Sequence, residues 1–186
     1  VRHYALSEMP YNADGSITYE AVISRFNNDL VNNLGNLTKR TLDMLKKYFG
    51  GVIENKNVCE SFDDELKAET LACAPRVEKL MEQFHVADSL DAILDVARRC
   101  NKYIDETMPW ALAKNEDSLP RLKSVIYNLL EVIRSASVLL KPYIPTTADK
   151  IFAQLGTDKT TLDTIGNFGS LEAGKPLGEA STLFAR

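Results

Sequence analysis

Asn36 and Arg40 lie four residues apart. On a helix that spacing puts both side chains on one face, about 6 Å apart along the axis. Asn offers a donor and an acceptor together, and Arg offers a planar fork of donors. Such a pair can read a base edge or clamp a phosphate. Trp110, the only tryptophan, follows Pro109 directly and carries the largest ring in the chain. A ring beside an Asn–Arg pair is the combination that reads single-stranded RNA: stacking worth roughly 1–3 kcal/mol per base, plus edge hydrogen bonds. The same residues admit a plainer account, in which Trp110 plugs the core at a corner and Asn36 and Arg40 are merely solvated.

Other chemistry is hard to assemble from the sequence. It contains no P-loop, GxGxxG, HExxH or GxSxG. His3 and His85 stand far apart without metal partners and read as surface or boundary residues. The carboxylates Asp63, Asp64, Glu65, Asp88, Asp91, Asp105 and Glu106 form no Glu-x-x-His pair of the kind that di-iron bundles use, so neither a metal site nor a catalytic residue is assigned. Cys59, Cys73 and Cys100 are widely spaced, which fits a reducing cytoplasm and excludes an ordinary zinc motif.

The elements that must position the three recognition residues are helical. A continuous apolar stripe, Val22, Phe26, Leu30, Leu34, Leu37, Leu45 and Tyr48, gives a long first helix ended by Gly50-Gly51. Thr18 or Ser16 can cap it after the turn chemistry of Asn12-Ala-Asp-Gly15. Gly35 interrupts the stripe, marking either a close helix crossing or close approach of a ligand. Ser61 to Asp64 reads as a capping-box variant opening a second helix through Leu66, Leu71, Ala74, Val77, Leu80, Met81 and Phe84. Asp88 is expected to cap a third helix ending near Glu106 or Thr107, because Pro109 disfavours helix at Met108. A short helix over Trp110 to Asn115 can follow, with Trp110 at the corner. Ser118 opens a fourth, with Pro120 in its first turn and the strongest stripe in the chain. A fifth, opened by Thr146 or Thr147, closes at Gly156.

The expected fold class is therefore all-α: an antiparallel bundle of about five helices with an irregular Gly-rich C-terminal tail. Residues 1–17 read as a linker, 18–156 as the bundle and 157–186 as an appendage. Val1 to Pro10 is a short apolar segment, either a strand or the end of a helix. The chain has 186 residues, 45% hydrophobic and 26% charged, with a net charge of −4. No apolar run approaches the roughly 18 residues needed to span a membrane. A sequence-blind nucleic-acid binder is usually basic, so any RNA binding must be local. Lys39, Lys46, Lys47, Arg98, Arg99, Lys102 and Lys114 are the cations placed to touch an RNA backbone. The start lacks an initiator Met and the features of a signal peptide, which suggests a fragment.

Three stretches carry a resemblance: Asp29-Leu-Val-Asn-Asn-Leu-Gly-Asn-Leu-Thr-Lys-Arg40, Asn101-Lys-Tyr-Ile-Asp-Glu-Thr-Met-Pro-Trp-Ala-Leu-Ala-Lys114 and Leu139-Leu-Lys-Pro-Tyr-Ile-Pro145. They resemble the C-terminal half of bacterial methionyl-tRNA synthetases, class I aminoacyl-tRNA synthetases. The opening residues Val1 to Gly15 are similar to the stretch after that family's catalytic domain. Gly174-Lys-Pro and Leu183-Phe-Ala-Arg186 are similar to the segment that closes its bundle. Two positions depart, Met108 where the family often has Ala and Ala185 where Pro is common, and neither is expected to touch the proposed site.

The resemblance implies an anticodon-binding module for the tRNA of methionine. Trp110 would stack on the first anticodon base, the cytosine of CAU. Asn36 and Arg40 would contact the loop around that base, and Pro109 would fix the approach of the ring. It also implies a parent enzyme that joins methionine to ATP and then to tRNA in the cytoplasm. ATP, and zinc where present, belong to a catalytic domain that this chain lacks, so the chain alone is expected to be inactive. The alternatives are the bundle of another class I synthetase, or a protein-interaction bundle that binds no RNA and buries Trp110.

Overall fold

The computed structural model describes residues 1–9 and 15–184. The Asn12-Ala-Asp-Gly15 turn falls largely, and Ala185 wholly, outside the described residues. After α1 (Arg2–Glu8), one continuous helix runs as α2 (Tyr19–Arg25), a π-helical stretch (Phe26–Gly35) and α3 (Asn36–Phe49). Then come α4 (Ser61–Glu82), α5 (Val86–Thr107), α6 (Pro109–Leu112), α7 (Leu119–Leu140) and α8 (Pro145–Leu155). The architecture is an all-α bundle with an irregular tail. Among the described residues no helix is long and apolar enough to cross a membrane.

Helix ends follow the glycines. Gly50 and Gly156 terminate α3 and α8 in the left-handed conformation, at φ 61° and 64°. Thr18 caps α2 by accepting from the Ala21 N–H. Helix starts differ from expectation in three places. The capping contact at α4 is one residue earlier than Ser61–Asp64: the Asp63 carboxylate accepts from the Glu60 N–H. α5 begins at Val86 with His85 at the cap, so Asp88 lies inside the first turn. α8 starts on Pro145, whose missing N–H suits that position, rather than on Thr146 or Thr147. Phe84 is not on the apolar stripe; it turns out of α4 at φ 58° and is exposed.

α7 is the central rod. Every residue from Ser124 to Leu140 is buried, well beyond the single stripe that periodicity suggests. Three polar members of that rod, Tyr127, Glu131 and Arg134, are served by the tail. Glu131 pairs with Arg134, both fully buried. Glu131 accepts the N–H groups of Gly169, Ser170 and Leu171, and Arg134 donates to the carbonyls of Lys159 and Thr164. A buried ion pair is tolerable only when such further bonds compensate its lost hydration. The tail is therefore irregular but sewn onto α7 instead of hanging from the bundle. Its next segment pairs with the 50–60 connector, through Ile53 N–H to Lys175 and Gly174 N–H to Ile53.

His3, expected at the surface or the boundary, is buried where α1 meets the π stretch, with Nε2 3.6 Å from Asp29. Burial, with Arg25 adding, pushes its pKa down to about 4, so it is neutral near pH 7.

At the far end of the bundle the fully buried Asp63 of α4 accepts from Tyr103 of α5 and from Arg121 and Asn128 of α7. Burial alone would raise its carboxyl pKa. The bonds from Tyr103, the Glu60 N–H and Arg121 outweigh that and hold it below the ordinary range. The folded state thus keeps Asp63 ionised where the unfolded chain has taken a proton. Its contribution is complete above the ordinary carboxylate pKa and is lost as pH falls through the lowered folded value. Asp63→Asn should cost about 3–5 kcal/mol at pH 7 by leaving Arg121 without its buried partner. In chemical denaturation followed by circular dichroism, the deficit should shrink as pH falls below about 4.

Candidate nucleic-acid interface

The corner after α5 is built by its sequence. The Met108 N–H still bonds to the Ile104 carbonyl, but Met108 itself is left-handed, at φ 42° and ψ 64°. A non-glycine residue there costs about 1–2 kcal/mol, so the surroundings must hold it. They do so on both sides. Tyr103, one turn upstream, is tied to Asp63 and Asn128. Downstream, Pro109 is buried, and Leu112 and Ala113 pack on the core. Those three share one face of the short α6, which turns the intervening Trp110 outward. Trp110 is 45% exposed and Met108 49% exposed. Neither a hydrogen bond nor a ring contact engages the Trp110 side chain among the described residues.

Asn36 is exposed at the start of α3, and Arg40 is half-buried one turn later. Neither side chain has a hydrogen bond or ion pair among the described residues. Among the described arginines Arg40 shares this only with Arg76, exposed on α4, because Arg2, Arg25, Arg98, Arg99, Arg121 and Arg134 are all engaged. Asn36 also lines a groove of about 650 Å3 between α3 and the tail, together with Lys39, Lys46 and Thr182 to Phe184. No hydrogen bond, ion pair or ring contact links Asn36, Arg40 and Trp110 to one another among the described residues.

Helix register relates them. The long first helix runs parallel to α5. Arg25 bonds to Asp91, 66 residues further on, and Asn33 to Asn101, 68 further on. Arg40 is seven residues past Asn33, and Met108 is seven past Asn101. Continuing both helices by about 10 Å brings Arg40 level with the corner that carries Trp110. Met108, expected to stand apart from the site, is thus an exposed neighbour of the ring.

The backbone-contact candidates divide. Lys46 and Lys114 are exposed and carry no ion pair among the described residues. Lys47 sits over the Tyr48 ring, 5.2 Å from its centroid. Lys39, Lys102 and Arg98 are exposed but pair with Asp43, Glu106 and Asp95. Arg99 is buried and held by Glu65, Glu69 and Glu106. It is committed to tying α5 to α4 and is unavailable to an RNA backbone.

Residues 54–186 match the family described as the anticodon binding domain of methionyl tRNA ligase. Residues 1–42 match class I tRNA synthetases of the methionine group. The chain belongs to the anticodon-binding domain family of methionyl-tRNA ligases. It is 44% identical over its full length to a methionine–tRNA ligase of Clostridium tetani, of which it covers 29%. For the enzyme of Clostridium perfringens the identity is 42%, again with 29% covered. The chain thus spans about three tenths of the length of these curated relatives. It is also similar to solved Mycobacterium tuberculosis methionyl-tRNA synthetases. The free-state structure superposes with a TM-score of 0.92 at 32% identity, over all of this chain and 38% of that one. The complex with methionyl-adenylate gives 0.93, over 37% of that chain.

Sequence reasoning missed the π stretch that precedes Asn36, for which no local signal exists, and the place of Met108, which its position before Pro109 could have suggested. The half-exposed ring predicts red-shifted Trp110 emission that acrylamide quenches readily. Blue-shifted, quencher-resistant emission would show a buried ring and contradict the described corner.

Proposed function

We propose that this chain recognises the CAU anticodon loop of the methionine tRNA, as the selective module of an enzyme that attaches methionine to that tRNA with ATP. Its mechanism is selection rather than chemistry. Holding the cognate anticodon at the bundle end helps place the distant acceptor end in a catalytic site carried elsewhere in the longer protein. ATP, and zinc where present, act in that other part, and the whole works in the cytoplasm. Trp110 stacks on the first anticodon base, Pro109 fixes its approach, and Asn36 and Arg40 supply hydrogen bonds to the loop around it. Lys46, Lys47 and Lys114 are the cations best placed to meet phosphates, with Lys39, Arg98 and Lys102 able to join by exchanging partners.

The observation that carries this reading is the unengaged, half-exposed Trp110 on a corner pinned from both sides. A protein-interaction bundle without RNA would bury that ring. The guanidinium of Arg40 at the same level adds a donor fork that no carboxylate among the described residues occupies. Because the net charge is −4, affinity for unrelated RNA should be low and specificity should come from these few contacts.

The test is binding of a labelled CAU stem-loop, with a GAU loop as control. Trp110→Ala should weaken CAU binding by roughly tenfold to a hundredfold, the loss of one stacked base. Arg40→Ala should weaken it by about tenfold or more, and Arg99→Lys should change it little. Unchanged CAU binding in Trp110→Ala would sink the assignment.

A further inference from the structure

The long first helix is α-helical to Arg25, π-helical for ten residues from Phe26 to Gly35, and α-helical again from Asn36. π-turns are rare, mostly single, and frequently found at functional sites. A ten-residue run needs something outside the helix to hold it. Both of its ends touch the same side chain, Phe184 of the tail. The Phe26 ring, at the start of the run, meets Phe184 edge to face, with centroids 5.7 Å apart and planes at 89°. Gly35, at its end, lies directly beneath that ring: a Cβ there would fall 2.8 Å from Phe184 Cδ2 and 3.0 Å from the Leu30 carbonyl. Gly35 therefore makes room for the tail rather than for a crossing helix. The tail is carried to this place by α8, whose Gln154 bonds to Ser181 and whose Lys150 bonds to the Thr182 carbonyl.

The extent of the π stretch sets the rotation of α3 about its own axis. Each π-turn holds about one residue more than an α-turn. Converting part of the run to α-helix would rotate α3 and carry Asn36 and Arg40 away from the corner of Trp110. We propose that Phe184 is a positioning residue for anticodon recognition. Seated on Phe26 and Gly35, it fixes the π stretch and with it the rotational setting of Asn36 and Arg40. It also forms part of the wall opposite Asn36 in the groove between α3 and the tail. The inference rests on the proposed role of those two residues.

A double-mutant cycle on the 186-residue chain, read by labelled CAU and GAU stem-loops and by thermal melting, tests it. Phe184→Ala should lower CAU affinity by about tenfold and GAU affinity less, so that selectivity falls. In an Asn36→Ala background the same substitution should cost much less, because Phe184 acts through that residue. Gly35→Ala, which pushes the ring from below, should reproduce the loss, and Phe184→Leu should restore part of it. Should Phe184→Ala melt below the assay temperature, Phe184→Leu and Gly35→Ala carry the same comparison. Equal losses in both backgrounds, or selectivity kept while the melting temperature drops, would overturn the inference and leave Phe184 a packing residue. A wild-type chain that does not prefer CAU overturns the anticodon reading and this inference with it. A wild-type preference that Phe184→Ala leaves intact overturns this inference alone.

Discussion

The carboxylate of Asp63 is where three helices are fastened together. It receives hydrogen bonds from α5 and α7, and from the backbone of Glu60 at the start of its own helix, inside a region closed to water. Such a charge is costly to bury and more costly to leave unpaired. The network therefore constrains the ends of α5 and α7 to one arrangement. Those two ends flank the Met108–Pro109–Trp110 corner. A ring can serve as a stacking platform only if its mounting does not yield, and Tyr103, one turn before the corner, is part of that mounting.

The opposite side of the bundle is organised by a second buried charge. Glu131 and Arg134 sit on a helix that is enclosed all round, and their remaining hydrogen-bonding capacity is taken up by the backbone of the tail. This orders a glycine-rich segment with little regular structure of its own. The ordered tail then passes α8 and delivers Phe184 to the π stretch. Two satisfied charges thus fix two surfaces: one sets Trp110, and the other brings the tail alongside Asn36.

The leucine stripes, the Gly50 and Gly156 stops and the break at Pro109 were legible because each is a local rule with one dominant cause. Helix starts were not, since Glu60, His85 and Ile144 hold the cap positions at α4, α5 and α8 and none of them is a preferred capping residue. The burial of Glu131 and Arg134 was also hidden, because a charged residue on a helix usually lies on a solvated face. Only the tail, forty residues on in sequence, makes their burial tolerable. The proposed recognition residues Asn36, Arg40 and Trp110 are candidates by type and spacing. Arg99 could not be distinguished from Arg98, since one position of rotation on α5 decides which of them enters a cage of three carboxylates. The π stretch depends on a ring some 150 residues away and has no counterpart in local propensity.

On the proposed reading, selection by this chain is a matter of a few well-held contacts on a chain of net negative charge, and it turns on whether Trp110 receives the first anticodon base. Because the chain has a single tryptophan, its fluorescence reports on that ring alone. The direct measurement is a titration of CAU and GAU stem-loops into the chain while following this emission. The account predicts saturable quenching by CAU and little by GAU. Equal responses to both loops, or none to either while CAU still binds, would contradict it.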